Sequence, residues 1–84
     1  MPIISKFYGI EIKMYFIQNE HNPPHIHAFY GEFVSIMNIN TLEEIEGNLP
    51  EKALKIVREW MYINKKEILE IWETQKFKKI KPIE

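Results

Sequence analysis

The sequence predicts an α+β fold: a small antiparallel β-meander of three to four strands followed by two C-terminal helices packed on one face. Three observations predict it. Ile10, Ile12, Met14 and Phe16 alternate with Glu11, Lys13, Tyr15 and Ile17, the period-two signature of a half-buried strand. Glycine, proline and asparagine then punctuate the chain at short intervals up to residue 47. Beyond Gly47 the apolar period lengthens to that of a helix, with Ala53, Val57, Trp60 and Met61 on one face.

Taken in order, Gly9 marks a tight turn out of an extended segment around Ser5 to Tyr8, and residues 10–17 form the clearest strand. Residues 18–24 read as a loop. Pro23-Pro24 stiffens it, because each ring fixes φ and the residue before a proline is pushed out of the helical region. A second strand starts at His25, with Ile26, Ala28 and Tyr30 on one face and His25, His27 and Phe29 on the other. Gly31-Glu32 is a short turn into a third strand, Phe33 to Ile39. Its buried face is undetermined, because Val34 and Ile36 compete with Phe33, Met37 and Ile39. Asn40 to Glu44 makes a turn and Ile45-Glu46-Gly47 a brief return. Asn48-Leu49-Pro50-Glu51 is a helix start, with Asn48 as cap and Glu51 at the capping-box position. Asn64-Lys65-Lys66-Glu67 repeats that pattern and implies a break before a second helix carrying Ile68, Leu69, Ile71 and Trp72. Trp60 and Trp72 both read as core anchors.

Eighty-four residues, 45% hydrophobic, suffice for one domain over residues 1–84 with a single core. No apolar run approaches the roughly 18 residues of a membrane span, and the N-terminus lacks the order of a signal peptide. A cytoplasmic protein with no membrane partner is expected. The absence of cysteine excludes disulfides, zinc-thiolate sites and cysteine nucleophiles. Net charge is -1, but residues 1–50 carry two lysines against six acids and residues 51–84 nine bases against six acids. The cluster Lys76, Lys78, Lys79 and Lys81 reads first as a solvated, frayed end and second as a phosphate contact.

All three histidines fall within His21-Asn22-Pro23-Pro24-His25-Ile26-His27. Histidine titrates nearest neutrality and is the commonest metal ligand, so the crowding points to chemistry. Three readings follow. His25 and His27, two apart on a strand, chelate a divalent metal with His21 or Glu32 as third ligand. Alternatively one imidazole is the base and another the acid in metal-free transphosphorylation of RNA, with Arg58 or a C-terminal lysine stabilising the phosphorane and Tyr30 as an additional proton donor. In the third, the histidines bond to backbone carbonyls and merely hold the loop. The candidate catalytic residues are thus His25, His27 and His21, and the candidate binding residues Tyr30, Glu32 and Arg58. The cofactor is either none or a divalent metal.

The segments Ile4-Ser5-Lys6-Phe7-Tyr8-Gly9-Ile10, Met14-Tyr15-Phe16, His21 to Ala28, Tyr30-Gly31, Gly47-Asn48-Leu49-Pro50 and Glu59-Trp60 resemble the small prokaryotic domain-of-unknown-function family catalogued as 4160. The resemblance covers nearly the whole chain, and its core is His-x-Pro-Pro-His-x-His-Ala. It implies a member of a two-protein pair interpreted as toxin and antitoxin, usually the toxin, neutralised by a cognate small antitoxin protein. It supplies no catalytic residues. The expected function is therefore a toxin component acting on RNA through the histidine cluster. The alternatives are a non-enzymatic protein-binding module, an antitoxin-like partner, or a small histidine-based metal-binding protein.

Overall fold

The computed structural model describes residues 3–15 and 23–83. His21 and Asn22 lie outside the described residues, as does the end of the strand expected over 10–17. Among the described residues five strands precede one helix: β1 Ile3–Phe7, β2 Ile10–Lys13, β3 His25–Tyr30, β4 Phe33–Asn38, β5 Glu44–Gly47 and α1 Glu51–Thr74. The sheet follows chain order, β1-β2-β3-β4-β5, with every neighbouring pair antiparallel. The α+β meander is as predicted, but with five strands rather than three to four. The lead-in before Gly9 is a full strand, paired with β2 from Ile3↔Lys13 to Phe7↔Ile10.

Local chemistry explains the turns. Tyr8 and Gly9 both have positive φ (48° and 79°), the signature of a two-residue type I′ hairpin whose twist suits the flanking strands. At the β3–β4 turn only Gly31, the first central residue, has positive φ, as in type II′. Between β4 and β5 the Asn38 side chain accepts from the backbone N–H groups of Asn40 and Thr41, an Asx turn.

The parity of β3 is as expected. Ile26 and Ala28 are fully buried beside Ile10, Ile12 and Met14, whereas His25, His27 and Phe29 project from the opposite face. The ambiguity of β4 resolves in favour of Ser35, Met37 and Ile39 inward, leaving Val34 and Ile36 outward. Ser35 is the hydroxyl in that series, and it is satisfied: its Oγ donates to Glu44 and accepts from the Leu49 N–H.

The two predicted helices are one element. Asn64 leaves helical geometry (φ -109°, ψ 16°), but the helix continues through it as a kink. The Asn64 amide donates to the Trp60 carbonyl four residues back, so the side chain bends the helix and does not start a new one. Nor is Asn48 the cap of α1. Pro50 occupies that position, with no side-chain hydrogen bond, and its carbonyl accepts the first helical bond from Leu54.

Trp60 is a core anchor, buried against Phe7 with its indole N–H donating to the Lys81 carbonyl. Trp72 is only half-buried and turns toward His25. Beyond the kink at Asn64 the last turns of the helix carry Trp72 to the end of the sheet where β3 begins, beside His25. The C-terminal segment is not frayed. Ile80 is buried and its N–H donates to the Ile4 carbonyl of β1, while Lys78 pairs with Glu67 and Glu70.

Candidate functional site

Face parity and register build the site. On β3 the side chains of His25, His27 and Phe29 point away from the helix-packed core, and the pairing Lys13↔His27↔Ile36↔Glu46 forms a row across four strands. Directly opposed residues have Cβ atoms about 4.5–5.5 Å apart, so Lys13 and Ile36 flank His27. The two imidazole centroids are 5.3 Å apart. The Tyr15 ring meets His27 edge-on at 4.2 Å, and the Phe29 ring lies on its other side at 6.5 Å. Lys13 Nζ sits 4.7 Å from the Phe29 centroid and also pairs with Glu11. The Trp72 ring closes the other end, 5.0 Å from His25.

The two histidines differ electrostatically. His25 Nδ1 donates to the Pro23 carbonyl at 2.8 Å, because that oxygen can only accept; this fixes the tautomer and leaves Nε2 free of any hydrogen bond among the described residues. The rigid Pro23-Pro24 approach thus orients His25. His27 has no hydrogen-bond partner among the described residues, and its Nδ1 is buried. Burial, and secondarily repulsion from His25, lowers its pKa from 6.5 to about 4, so His27 is neutral at pH 7.

The other candidates are placed elsewhere. Tyr30 shares the core-side parity of Ile26 and Ala28, so its hydroxyl belongs to the opposite face from the histidines. Glu32 is exposed in the β3–β4 turn, at the far end of β3 from His25, and does not complete a ligand set with the pair. Arg58 is exposed on α1 and its Nε donates to the Leu42 carbonyl in the β4–β5 connection. Among the described residues no group of three or more His, Asp or Glu side chains is arranged to hold a metal. Lys13, Tyr15 and Trp72 are the residues that sequence reasoning missed. The alternation of residues 10–17 already placed Lys13 and Tyr15 on one face; only the register with β3 was lacking.

A family model described as a domain of unknown function, DUF4160, matches residues 9–73. The chain belongs to the DUF4160 family. Neither a curated protein nor a solved structure matches it. The region shared with DUF4160 runs from the first hairpin turn almost to the end of α1, and so contains the whole histidine face. Within the described residues of this DUF4160 domain, no helix is long and apolar enough to cross a membrane.

A cavity of about 470 Å³ lies away from the histidines. It lies at the other end of the sheet, between Tyr8, Ile10 and Tyr30 and the start of α1. Beside the pair there is a shallower groove of about 200 Å³ bordered by Pro23, His25, Ile36, Ile45 and Glu46. Proton-transfer chemistry follows titratable groups with perturbed environments more closely than it follows volume, so the histidine face is the candidate active surface.

Proposed function

We propose that this DUF4160 domain is the toxin component of a toxin–antitoxin pair, cleaving RNA through His25 and His27 and held in check by a cognate small protein. The family resemblance supports the toxin role. The observation that carries the chemistry is the inequality of the two imidazoles: one held neutral by burial, the other fixed in tautomer with Nε2 free. Two imidazoles held side by side in unequal surroundings can divide the roles of base and acid.

His27 is the base and His25 the acid. His27 takes the proton of a ribose 2′-hydroxyl, the 2′-oxygen attacks the adjacent phosphorus, the P–O5′ bond breaks, and protonated His25 delivers its proton to the departing 5′-oxygen. The products are a 2′,3′-cyclic phosphate and a 5′-hydroxyl. Lys13, in register with His27, takes the role first given to Arg58 and neutralises the phosphate. The negative charge of the bound phosphate also opposes the factors that depress His27. Tyr15 and Phe29 provide faces on which unpaired bases stack.

Incubating the purified protein with a single-stranded RNA in EDTA tests this. Cleavage ending in cyclic phosphate should persist under the chelator and fall about 10²–10⁴-fold in His27→Ala. Cleavage that stops in EDTA and returns with zinc or manganese rejects the metal-free mechanism and favours the divalent-metal alternative. Growth unaffected by expression of the chain alone would remove the toxin role, and arrest by the cognate partner protein alone would reverse it.

A second reading rests on β5, the edge of the sheet beside the His25 groove, where Ile45 is half-exposed. A protein-binding module would use that edge to add a partner strand. In that case His27→Ala weakens partner binding and toxicity together, whereas a catalytic His27 loses toxicity alone.

A further inference from the structure

The cavity at the opposite end of the sheet is independent of the histidine chemistry. Its floor is Ile10, Ala53 and Ile56, two tyrosine rings, Tyr8 and Tyr30, stand at its walls, and Lys52 is its one charged lining side chain. At about 470 Å³ it lies within the roughly 300–1,000 Å³ of small-molecule sites. None of Tyr8, Tyr30 and Lys52 has a hydrogen bond or ion pair among the described residues, so their polar ends are uncommitted.

Tyr8 is the second observation. A type I′ turn needs positive φ at both central residues, a requirement that asparagine or glycine meets readily and a bulky aromatic does not. Tyr8 nonetheless occupies the first position at φ 48° and is 59% exposed. Its ring contributes little to the core, yet the strained backbone holds it at the mouth of the cavity. Gly9 beside it supplies the second positive φ of the turn, and the Tyr30 ring lies alongside: a Cβ at Gly9 would make only an ordinary contact with it, 3.6 Å from Cε1. Strain kept at a cavity wall, with no packing return, is the pattern of a ligand-facing residue.

We infer that this cavity is a second binding site, for a small planar aromatic molecule bearing an anionic group. The tyrosine faces and apolar floor take the ring. Lys52 at the rim takes the charge.

Two fluorescent probes test it: 8-anilinonaphthalene-1-sulfonate, and the neutral N-phenyl-1-naphthylamine, which lacks the sulfonate. The sulfonate should bind saturably at one site per chain. Lys52→Met should weaken it at least fivefold and the neutral probe less than twofold. Tyr8→Asn relieves the turn, so it should raise Tm while weakening both probes at least fivefold, separating loss of the site from loss of the fold. Non-saturable binding, unchanged affinity for the sulfonate in either variant, or equal loss of both probes in Lys52→Met would overturn the inference.

Discussion

At the scale of single residues, His27 concentrates the unusual energetics. Burying Nδ1 without a partner costs about 1–3 kcal/mol, which β3 carries in a position that any aromatic could fill. The lowered pKa makes this measurable. Unfolded His27 titrates near 6.5, whereas the folded residue holds out until about 4. Above 6.5 both states are neutral and pH has no effect through this residue. Below it the unfolded chain binds a proton that the folded chain refuses, so stability falls from pH 6.5 toward 4 and then levels. Allowing for partial exposure, the loss between pH 7 and pH 5 should be about 1 kcal/mol. Urea denaturation at the two pH values checks it, with His27→Phe as comparison. A slope equally steep in that variant would assign the loss to other groups.

Among the elements, the β4–β5 pair shows how position overrides composition. Gly47 has φ +128°, and an added Cβ would lie 2.4 Å from the Val34 carbonyl oxygen and 2.5 Å from Ser35 Cα. Both are backbone atoms of β4, which cannot move without disturbing the Ser35 links to Glu44 and Leu49. Gly47→Ala should therefore destabilise the domain by about 2–4 kcal/mol, read as a lower denaturant midpoint at unchanged m-value. A change under about 0.5 kcal/mol would show that β5 can detach freely. Gly47 was legible in the sequence only as the boundary between periods, because the close approach of β4 is a non-local fact. The same distinction runs through the site. Parity alone placed His25 and His27 together and Tyr30 opposite them, although the expected chemistry had grouped Tyr30 with the pair. Lys13 opposite His27, and Trp72 beside His25, required strand register and the course of the helix past its kink. Asn64 was legible as an interruption, but whether it separates two helices or kinks one depends on where its side-chain amide bonds.

For the whole molecule, the two sheet edges are treated differently. β5 is short and acidic, with Glu44 and Glu46 blunting it, while β1 is covered by the C-terminal segment. The Ile80 N–H donates to Ile4, the Ser5 hydroxyl to the Ile80 carbonyl, and the Trp60 indole to the Lys81 carbonyl. Phe77 and Ile83 pack against the core beside buried Ile80. The family match over residues 9–73 leaves out both β1 and this segment, so the two parts outside it close on each other. Ending the chain after Gln75 should thus do more than shorten a lysine-rich tail. It removes the burial of Ile80, worth about 1.5–3 kcal/mol, and three hydrogen bonds at about 1 kcal/mol each, some regained from water. We expect a net loss of about 3–5 kcal/mol, a large share of the 5–15 kcal/mol typical of small domains. The opened β1 edge should also pair between molecules, so sedimentation should show concentration-dependent self-association absent from the full chain. Lys78→Gln, which removes only exposed ion pairs to Glu67 and Glu70, should change stability by less than about 1 kcal/mol. If the truncated chain matched Lys78→Gln in stability and stayed monomeric, the C-terminal segment would be an appendage and β1 would need no cover.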